Sequence, residues 1–289
     1  MKKLLIVLLT LIACSDVLLA QTEASSELAD AQTIPYLRRG RPVTSSLELH
    51  LGAASVRNSY LAPLLYSGPV LGLGYERRRD WCRSPWMSLQ RLDGQFAMGE
   101  DQGAHSEDWS GRLRYLYAAH YQWRDLADGF TLMAGPSLGT ELGFDYNLKT
   151  ASGNNPATAH VVANAGLSLM GTYHYVLFGR HSLASLQFQA PLLGYALMPE
   201  YGASYYETFY LKNTQNLHHF TSLHNQQDLD VRLTTDIPVS VHHGGALRLG
   251  VAWHIETMDI NQTIHRFSSF EAVVGWTFQC VPVRHVRFN

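Results

Sequence analysis

The sequence predicts an all-β protein, a transmembrane antiparallel up-and-down β-barrel of about ten strands (twelve are possible) with long external loops. Three observations lead to this fold class. Apolar residues alternate with polar ones over most of the chain, lysine is almost absent from the alternating segments, and long connections alternate with short ones. A period of two is the pattern of a strand with one apolar face.

The chain begins with two lysines, an apolar run at residues 4–13 and a small residue at Ala20. This pattern predicts a signal peptide at residues 1–20, cleaved between Ala20 and Gln21. The alternative is a lipobox at residues 11–14, in which Cys14 would be acylated. No later apolar run reaches the length of a transmembrane helix.

The rest of the chain is predicted to contain a leader and one domain. Residues 21–43 are polar and lack periodicity, which predicts a flexible periplasmic leader, with a plug segment as the alternative. Residues 44–289 form the predicted transmembrane β-barrel domain. Cys82 and Cys280 would lie on the periplasmic side, either paired or as isolated thiols. A formal net charge of −2 argues against nucleic acid as a partner.

Ten predicted strands follow one another from Thr44 onward. In each of them apolar and aromatic residues occupy alternate positions, and small polar or charged residues occupy the positions between. The third strand keeps this alternation poorly, which predicts a bulge near Arg91. The segments cover residues 47–51, 71–75, 86–98, 109–123, 130–146, 161–175, 185–192, 228–239, 247–256 and 269–279.

Lysine usage and aromatic placement indicate that the apolar faces point to lipid. After the signal peptide the only lysines are Lys149 and Lys212, both in connections, whereas a solvated sheet face normally carries several. Aromatic residues lie near strand ends, as in the girdles at the two membrane interfaces. They are Trp109, Tyr121, Trp123, Phe130, Tyr146, Tyr173 and Tyr175.

Loop lengths give the same result. Connections after odd strands span residues 55–67, 99–108, 147–160, 198–227 and 258–266. Those after even strands are shorter, at 78–85, 124–129, 176–181 and 240–245. Long external loops, short periplasmic turns and an even strand number are the rule for bacterial outer-membrane barrels.

A barrel of this size has a narrow interior, so its inward charges are expected to pair. We predict a lumen polar network of mutually neutralising side chains, with a narrow polar channel as the alternative reading. Its members are Arg112, Arg114, Glu141, Asp228, Asp230, Arg232, Arg248 and Glu256.

The longest connection, residues 198–227, is rich in Tyr, His, Ser and Asn. A serine, a histidine and an orienting carboxylate or amide are the parts of an acyl-transfer site, which makes a rim-sited lipid hydrolase one alternative. No nucleophile elbow accompanies them, so whether the protein is an enzyme stays open, with a non-enzymatic role favoured. The candidates are Ser204, Glu207, Ser222, His224 and Asn225.

The same connection offers a binding surface. Tyrosine supplies a large contact area at a low entropic cost, so we predict binding of an external ligand or protein by Tyr205, Tyr206, Tyr210 and His218. His218, His219 and His224 also suggest metal chelation, but their spacing along an extended chain separates them. We therefore predict no metal and no cofactor.

The signal peptide, the alternating strands and an aromatic final strand resemble those of a Gram-negative outer-membrane β-barrel. Ser-Tyr-Tyr-Glu at 204–207 and Ser-Leu-His-Asn at 222–225 are similar to segments of an uncharacterised family of such barrels. Phe288 is followed by Asn289, a small departure from the terminal aromatic of these proteins. The resemblance implies outer-membrane location, membrane lipids and the barrel assembly machinery as partners, and no known activity. The function predicted is a surface binding or structural role.

Overall fold

The computed structural model of the chain describes residues 43–81, 84–148, 156–202, 206, 210–212, 216–239 and 245–280. The predicted signal peptide, residues 21–42 of the predicted leader and Cys82 lie outside the described residues, whereas Val43 already belongs to the first strand. Within the described part, no helix has the length and the apolar composition needed to cross a bilayer.

Eleven antiparallel strands make up the described part of the chain. Ten of them are long, and their alternating residues place apolar side chains on one face and polar ones on the other. The strands are β1 (Val43–Asn58), β2 (Tyr66–Asp80), β3 (Trp86–Glu100), β4 (Glu107–Ala127), β5 (Phe130–Asn147), β6 (Ala157–Leu177), β7 (Arg180–Leu197), β8 (His218–Ser222), β9 (Gln226–Pro238), β10 (Gly245–Ile260) and β11 (Thr263–Cys280).

The ten long strands close into a barrel. Each strand from β1 to β7 pairs with the next, β9 pairs with β7 and β10, and β11 pairs with β10 and β1. The short strand β8 pairs with the outer end of β7, from Leu193↔Ser222 to Leu197↔His218. The predicted transmembrane-type antiparallel barrel of about ten strands is confirmed.

The apolar faces point outward and the polar faces point into the lumen. On β2, Leu73 is 68% exposed whereas Glu76, three residues further on, is 1% exposed. A soluble barrel would show the reverse, because its apolar face would form the core. The exposed leucines therefore form the lipid-facing band of a membrane barrel.

Outward-facing aromatic rings gather near both ends of the strands. Trp109 and Tyr146 lie side by side at the outer end, with ring centroids 6.4 Å apart. At the opposite end the Tyr121 ring contacts those of Trp86 and Trp123, at 5.5 and 5.0 Å. These rings occupy the positions of the two interfacial girdles.

The strands extend further at the outer end than the sequence predicts. β10 and β11 meet in a two-residue turn, Asn261 and Gln262, whose φ angles are both positive at 60° and 61°. This is the geometry of a tight type I′ hairpin, so the predicted external loop at 258–266 is wrong. Alternation alone does not show where a hairpin ends, because the pairing continues through residues that look like a loop.

Two other expectations also need correction. The connection predicted at 198–227 is interrupted by β8 and by the start of β9. No bulge occurs near Arg91, since β3 pairs in regular register with both neighbours there. β3 looks irregular in sequence because its inward positions change from the apolar Met87 and Leu89 to the charged Arg91 and Asp93.

Candidate functional site in the barrel lumen

The inner half of the lumen, nearer the short turns, is organised around Arg248. Its Nε and Nη2 atoms donate to the two carboxylate oxygens of Asp236, at 2.7 and 2.8 Å. Its Nη1 atom lies 2.8 Å from an oxygen of Glu48 and 2.8 Å from one of Glu76. The Arg248 side chain is fully buried, and charged hydrogen bonds of this kind are short and strong.

Further arginines continue these contacts toward the middle of the lumen. Arg232 lies 3.0 Å from Glu48 and 3.5 Å from Asp93. Arg91 lies between two carboxylates, 3.0 Å from Asp93 and 2.9 Å from Asp230. These ion pairs connect β1, β3 and β9 across the lumen and therefore stabilise the barrel from inside.

Arg114 and His254 mark the transition to the outer half. Arg114 Nη1 lies 3.3 Å from Asp230 and 2.7 Å from His254 Nδ1. The same His254 nitrogen is 3.5 Å from Asp228 Oδ1. Since the arginine can only donate, His254 Nδ1 accepts from it and has no proton to give Asp228.

The outer half of the lumen is organised around another guanidinium, that of Arg112. Its Nη1 atom lies 2.6 Å from Glu141 and 2.6 Å from Glu256. Its Nη2 atom lies 3.2 Å from His265 Nε2, and its Cζ atom lies 3.8 Å from the centroid of the Phe267 ring. One cation thus serves two carboxylates and stacks on an aromatic face.

Two histidines lie beside this arginine. The ring centroids of His160 and His265 are 4.8 Å apart. His160 Nε2 is 3.3 Å from Glu141, and His265 Nε2 is 3.1 Å from Asp145 Oδ2. Asn58 also donates to Asp145 Oδ2, at 2.7 Å. Asp145, His160 and His265 are all buried, and their potential ligand atoms lie within 4.8 Å of one another. We call these three residues the His–Asp cluster.

Apolar side chains fill the space that the charged groups leave. A cluster from β3 to β6 occupies the inner half, and others lie toward the outer end, around Phe267 and around Met258. A central cavity of about 30 Å³ is lined among others by Arg91, Arg114 and Asp228, and it has room for about one water molecule. The inner cluster consists of Met87, Leu89, Leu116, Ala118, Met133 and Met170.

All eight residues predicted for the lumen network point into the lumen and contact one another or neighbouring charges.

The His–Asp cluster is not among the sites that the sequence predicts. His160 and His265 fell in connections because the predicted strands began at residues 161 and 269. The alternation of inward and outward residues could have found them. His160 has the same parity as the inward residues Asn164 and Ser168 on β6, and His265 has that of Ser269 and Glu271 on β11.

The outer rim brings two of the candidate catalytic residues together. Ser222 Oγ lies 2.5 Å from His224 Nδ1, within the turn that joins β8 and β9. The Asn225 side chain is occupied by the turn itself, since it accepts from Ser222 N and donates to Phe220 O. Among the described residues no carboxylate contacts His224, and Ser204 and Glu207 lie outside them. The contact has the form of local turn structure rather than of a triad.

The candidate binding residues lie at the same rim. The Tyr195 hydroxyl is 2.7 Å from His218 Nδ1, and the exposed rings of Tyr206 and Tyr210 stack at 4.8 Å. Phe220 is paired with Tyr195 across β7 and β8 and is also exposed. Tyr205 lies outside the described residues.

A closed barrel with an apolar exterior, aromatic girdles and a charged, filled lumen is of the outer-membrane β-barrel class. The chain belongs to the family described as "Protein of unknown function (DUF3316)", whose model matches residues 4–285. No curated protein matches it.

Solved structures of this class resemble the chain in fold. The outer membrane protease OmpT from Escherichia coli aligns with 8% identity and a TM-score of 0.50, over 86% of this chain and 99% of its own. The β-domain of the Bordetella autotransporter BrkA aligns with 15% identity and a TM-score of 0.42, over 82% and 99%. OprG from Pseudomonas aeruginosa aligns with 9% identity and a TM-score of 0.31, over 84% and 97%.

Proposed function

We propose that the protein is an outer-membrane surface protein with a closed lumen, which binds an external ligand through the rim formed by β7, β8 and the connection between them. The observation that carries this proposal is the filled lumen. Among the described residues, ion pairs and apolar side chains occupy it, and the central cavity lined by Arg91, Arg114 and Asp228 has a volume of about 30 Å³. A route for solutes needs a continuous aqueous path, so the barrel serves as a scaffold for its outer surface.

The rim offers what a binding surface needs. Tyr201, Tyr206, Tyr210 and Phe220 are exposed there, and the Tyr195–His218 pair adds polar groups beside the rings. Rings with a polar edge suit ligands that have both apolar faces and hydroxyl groups. Carbohydrate is the ligand class that best combines the two.

The export route is part of the same proposal. The chain is secreted through cleavage after Ala20, inserted by the barrel assembly machinery, and surrounded by outer-membrane lipids. Cell fractionation and gel migration with and without heating test this step. A heat-modifiable protein in the outer-membrane fraction is expected, and recovery from the soluble periplasm would contradict it.

Planar-bilayer recording separates the closed barrel from a channel. Purified wild-type protein is expected to be electrically silent. The matched variant combines Leu89→Ala with Met170→Ala, which truncates two fully buried side chains and so leaves the lumen less densely packed. Steady open-channel currents from the wild type would overturn the closed-lumen proposal.

Ligand binding is tested on an array of bacterial and host oligosaccharides. The wild type is expected to retain particular glycans, and Phe220→Ala combined with Tyr195→Ala to lose at least tenfold of that signal. Tyr173→Ala, an exposed aromatic at the opposite girdle, is the matched control. Failure of the wild type to retain any glycan above empty detergent would rule out this ligand class.

A further inference from the structure

We propose that Asp145, His160 and His265 form a buried binding site for one divalent transition-metal ion of the zinc type. The site lies in the outer half of the lumen and is independent of the rim. Three strands supply the ligands: β5 carries Asp145, β6 carries His160 and β11 carries His265. The ion would therefore join parts of the barrel that are distant in sequence.

The spacing of the ligand atoms suits one ion. One potential ligand atom from each of the three side chains lies within 4.8 Å of the other two. Metal–ligand bonds to His nitrogen and carboxylate oxygen are about 2.0–2.2 Å long, which places ligand atoms about 3–4.4 Å apart around one centre. Small side-chain rotations bring the three residues to that distance.

The polar groups of the cluster are not satisfied by the protein alone. His265 Nε2 lies 3.2 Å from a donor on Arg112 and 3.1 Å from an acceptor on Asp145, and a single ring nitrogen cannot serve both. His265 Nδ1 and Asp145 Oδ1 have no hydrogen-bond partner among the described residues, although both residues are fully buried. Buried groups of this kind normally have partners, and a cation provides one.

The charge of the surroundings favours a divalent cation. Glu141, Asp145 and Glu256 are all buried, and within the described residues Arg112 is the guanidinium that contacts Glu141 and Glu256. With neutral imidazoles the group has a charge of −2, which one divalent ion neutralises. Arg112 lies against Glu141 and Glu256, whereas the Oδ1 atom of Asp145 has no hydrogen-bond partner among the described residues.

The absence of a side chain at Gly143 leaves the space that the His160 ring occupies. Gly143 faces His160 across β5 and β6, and a Cβ atom at residue 143 would overlap the imidazole ring. The His160 ring also contacts Glu141, at 3.3 Å from Nε2. A carboxylate that orients an imidazole is a common second contact around metal-binding histidines.

The ligand set selects the class of ion. Two imidazoles and one carboxylate suit Zn²⁺, Fe²⁺, Co²⁺ or Ni²⁺, whereas Ca²⁺ and Mg²⁺ prefer oxygen ligands. All three side chains are buried in the lumen, so the ion would enter as the barrel folds. Metal should therefore be supplied during refolding rather than afterwards.

The experiment measures the metal retained after refolding with Zn²⁺ and gel filtration, by elemental mass spectrometry. About one Zn²⁺ per chain is expected for the wild type, and at least tenfold less for His160→Asn combined with His265→Asn. His120→Asn is the matched control, because His120 is also a buried lumen histidine but is hydrogen-bonded to Ser168 at 2.9 Å. His218→Ala combined with His224→Ala controls for the exposed rim histidines.

A second metal and a second variant keep the test decisive. Co²⁺ in place of Zn²⁺ should give visible absorption bands of a bound ion in the wild type, and Asp145→Asn should shift or remove them if the double histidine variant does not fold. Less than a tenth of an equivalent of zinc in the wild type would overturn the proposal. Zinc retained by the His160/His265 variant but lost from the rim variant would overturn it as well.

Discussion

The two halves of the lumen handle buried charge in different ways. In the inner half, Arg248 is matched on every side by Asp236, Glu48 and Glu76 at 2.7–2.8 Å. In the outer half, Arg112 is the guanidinium that contacts Glu141 and Glu256. The neighbouring groups there are the imidazoles of His160 and His265, whereas the inner half has further arginines. The carboxylates around Arg248, Arg232 and Arg91 each contact at least one arginine. In the outer half Asp145 contacts Asn58 and His265 but no arginine among the described residues.

This difference distinguishes ion pairs with a structural role from a candidate binding site. A buried ion pair is costly to break but is weak evidence of a function, and the inner network is explained by holding the strands together. Asp145 contacts no arginine among the described residues and its Oδ1 atom has no hydrogen-bond partner there, so the His–Asp cluster needs another explanation. The outer half is therefore where the barrel offers a specific binding chemistry, and substitutions in the two halves should behave differently.

The largest effect is expected from Arg248→Met in the inner half. The change leaves three buried carboxylates without their shared cation, and breaking such a pair costs about 3–5 kcal/mol. The free energy of unfolding in detergent, from denaturant titration, measures it. Arg124→Met is the control, since Arg124 forms an exposed pair with Asp80 at 3.5 Å and should change stability by less than about 1 kcal/mol. Equal effects of the two variants would contradict a structural role for Arg248.

Arg112→Met in the outer half is expected to cost less than Arg248→Met when zinc is present. The divalent ion replaces part of the lost positive charge, and binding at about 100 times Kd stabilises a fold by about 2.7 kcal/mol. Unfolding titrations of both variants, with zinc or with a chelator, measure the difference. The comparison fails if zinc restores Arg248→Met as much as it restores Arg112→Met.

Gly143→Ala should lower stability by about 1–3 kcal/mol, because the added methyl group collides with His160 in a packed lumen. It should also lower zinc retention. Gly94→Ala is matched to it, since a Cβ there meets only Leu113 at 3.9 Å. Thermal unfolding and metal content of the two proteins are measured together, and a Gly143→Ala protein that keeps both would show that the space is not needed.

The smallest effect is expected at the rim. Ser222→Ala removes the hydroxyl that contacts His224 at 2.5 Å, but the turn retains its Asn225 hydrogen bonds. Stability should change by no more than about 0.5 kcal/mol, and hydrolysis of short-chain esters should equal that of the wild type. An esterase activity lost in Ser222→Ala would bring the hydrolase alternative back.

The barrel could be predicted from sequence because its signal is local. Leu47, Leu49 and Leu51 alternate with Glu48 and His50 on β1, and this parity gives the faces of the strand without knowledge of its neighbours. The shortage of lysine and the loop lengths then decide which face meets lipid. None of these signals depends on which strands meet across the lumen.

The site could be predicted only in part, because it is made by contacts across the barrel. Arg248 and Glu48 are separated by 200 positions in the chain, and His265 and Asp145 by 120. Inward parity shows that these residues share the lumen but not their height or their partners. His160 and His265 were also hidden because the predicted strands begin after them. For His265 the reason is that a tight hairpin at Asn261 looks in sequence like a longer loop.

Anomalous X-ray diffraction at the zinc edge, from crystals of protein refolded with Zn²⁺, tests the contrast between the two halves most directly. We expect one peak between Asp145, His160 and His265 and none among the partners of Arg248. A structure without a peak in the outer half, or with zinc bound in the inner network, would contradict the account.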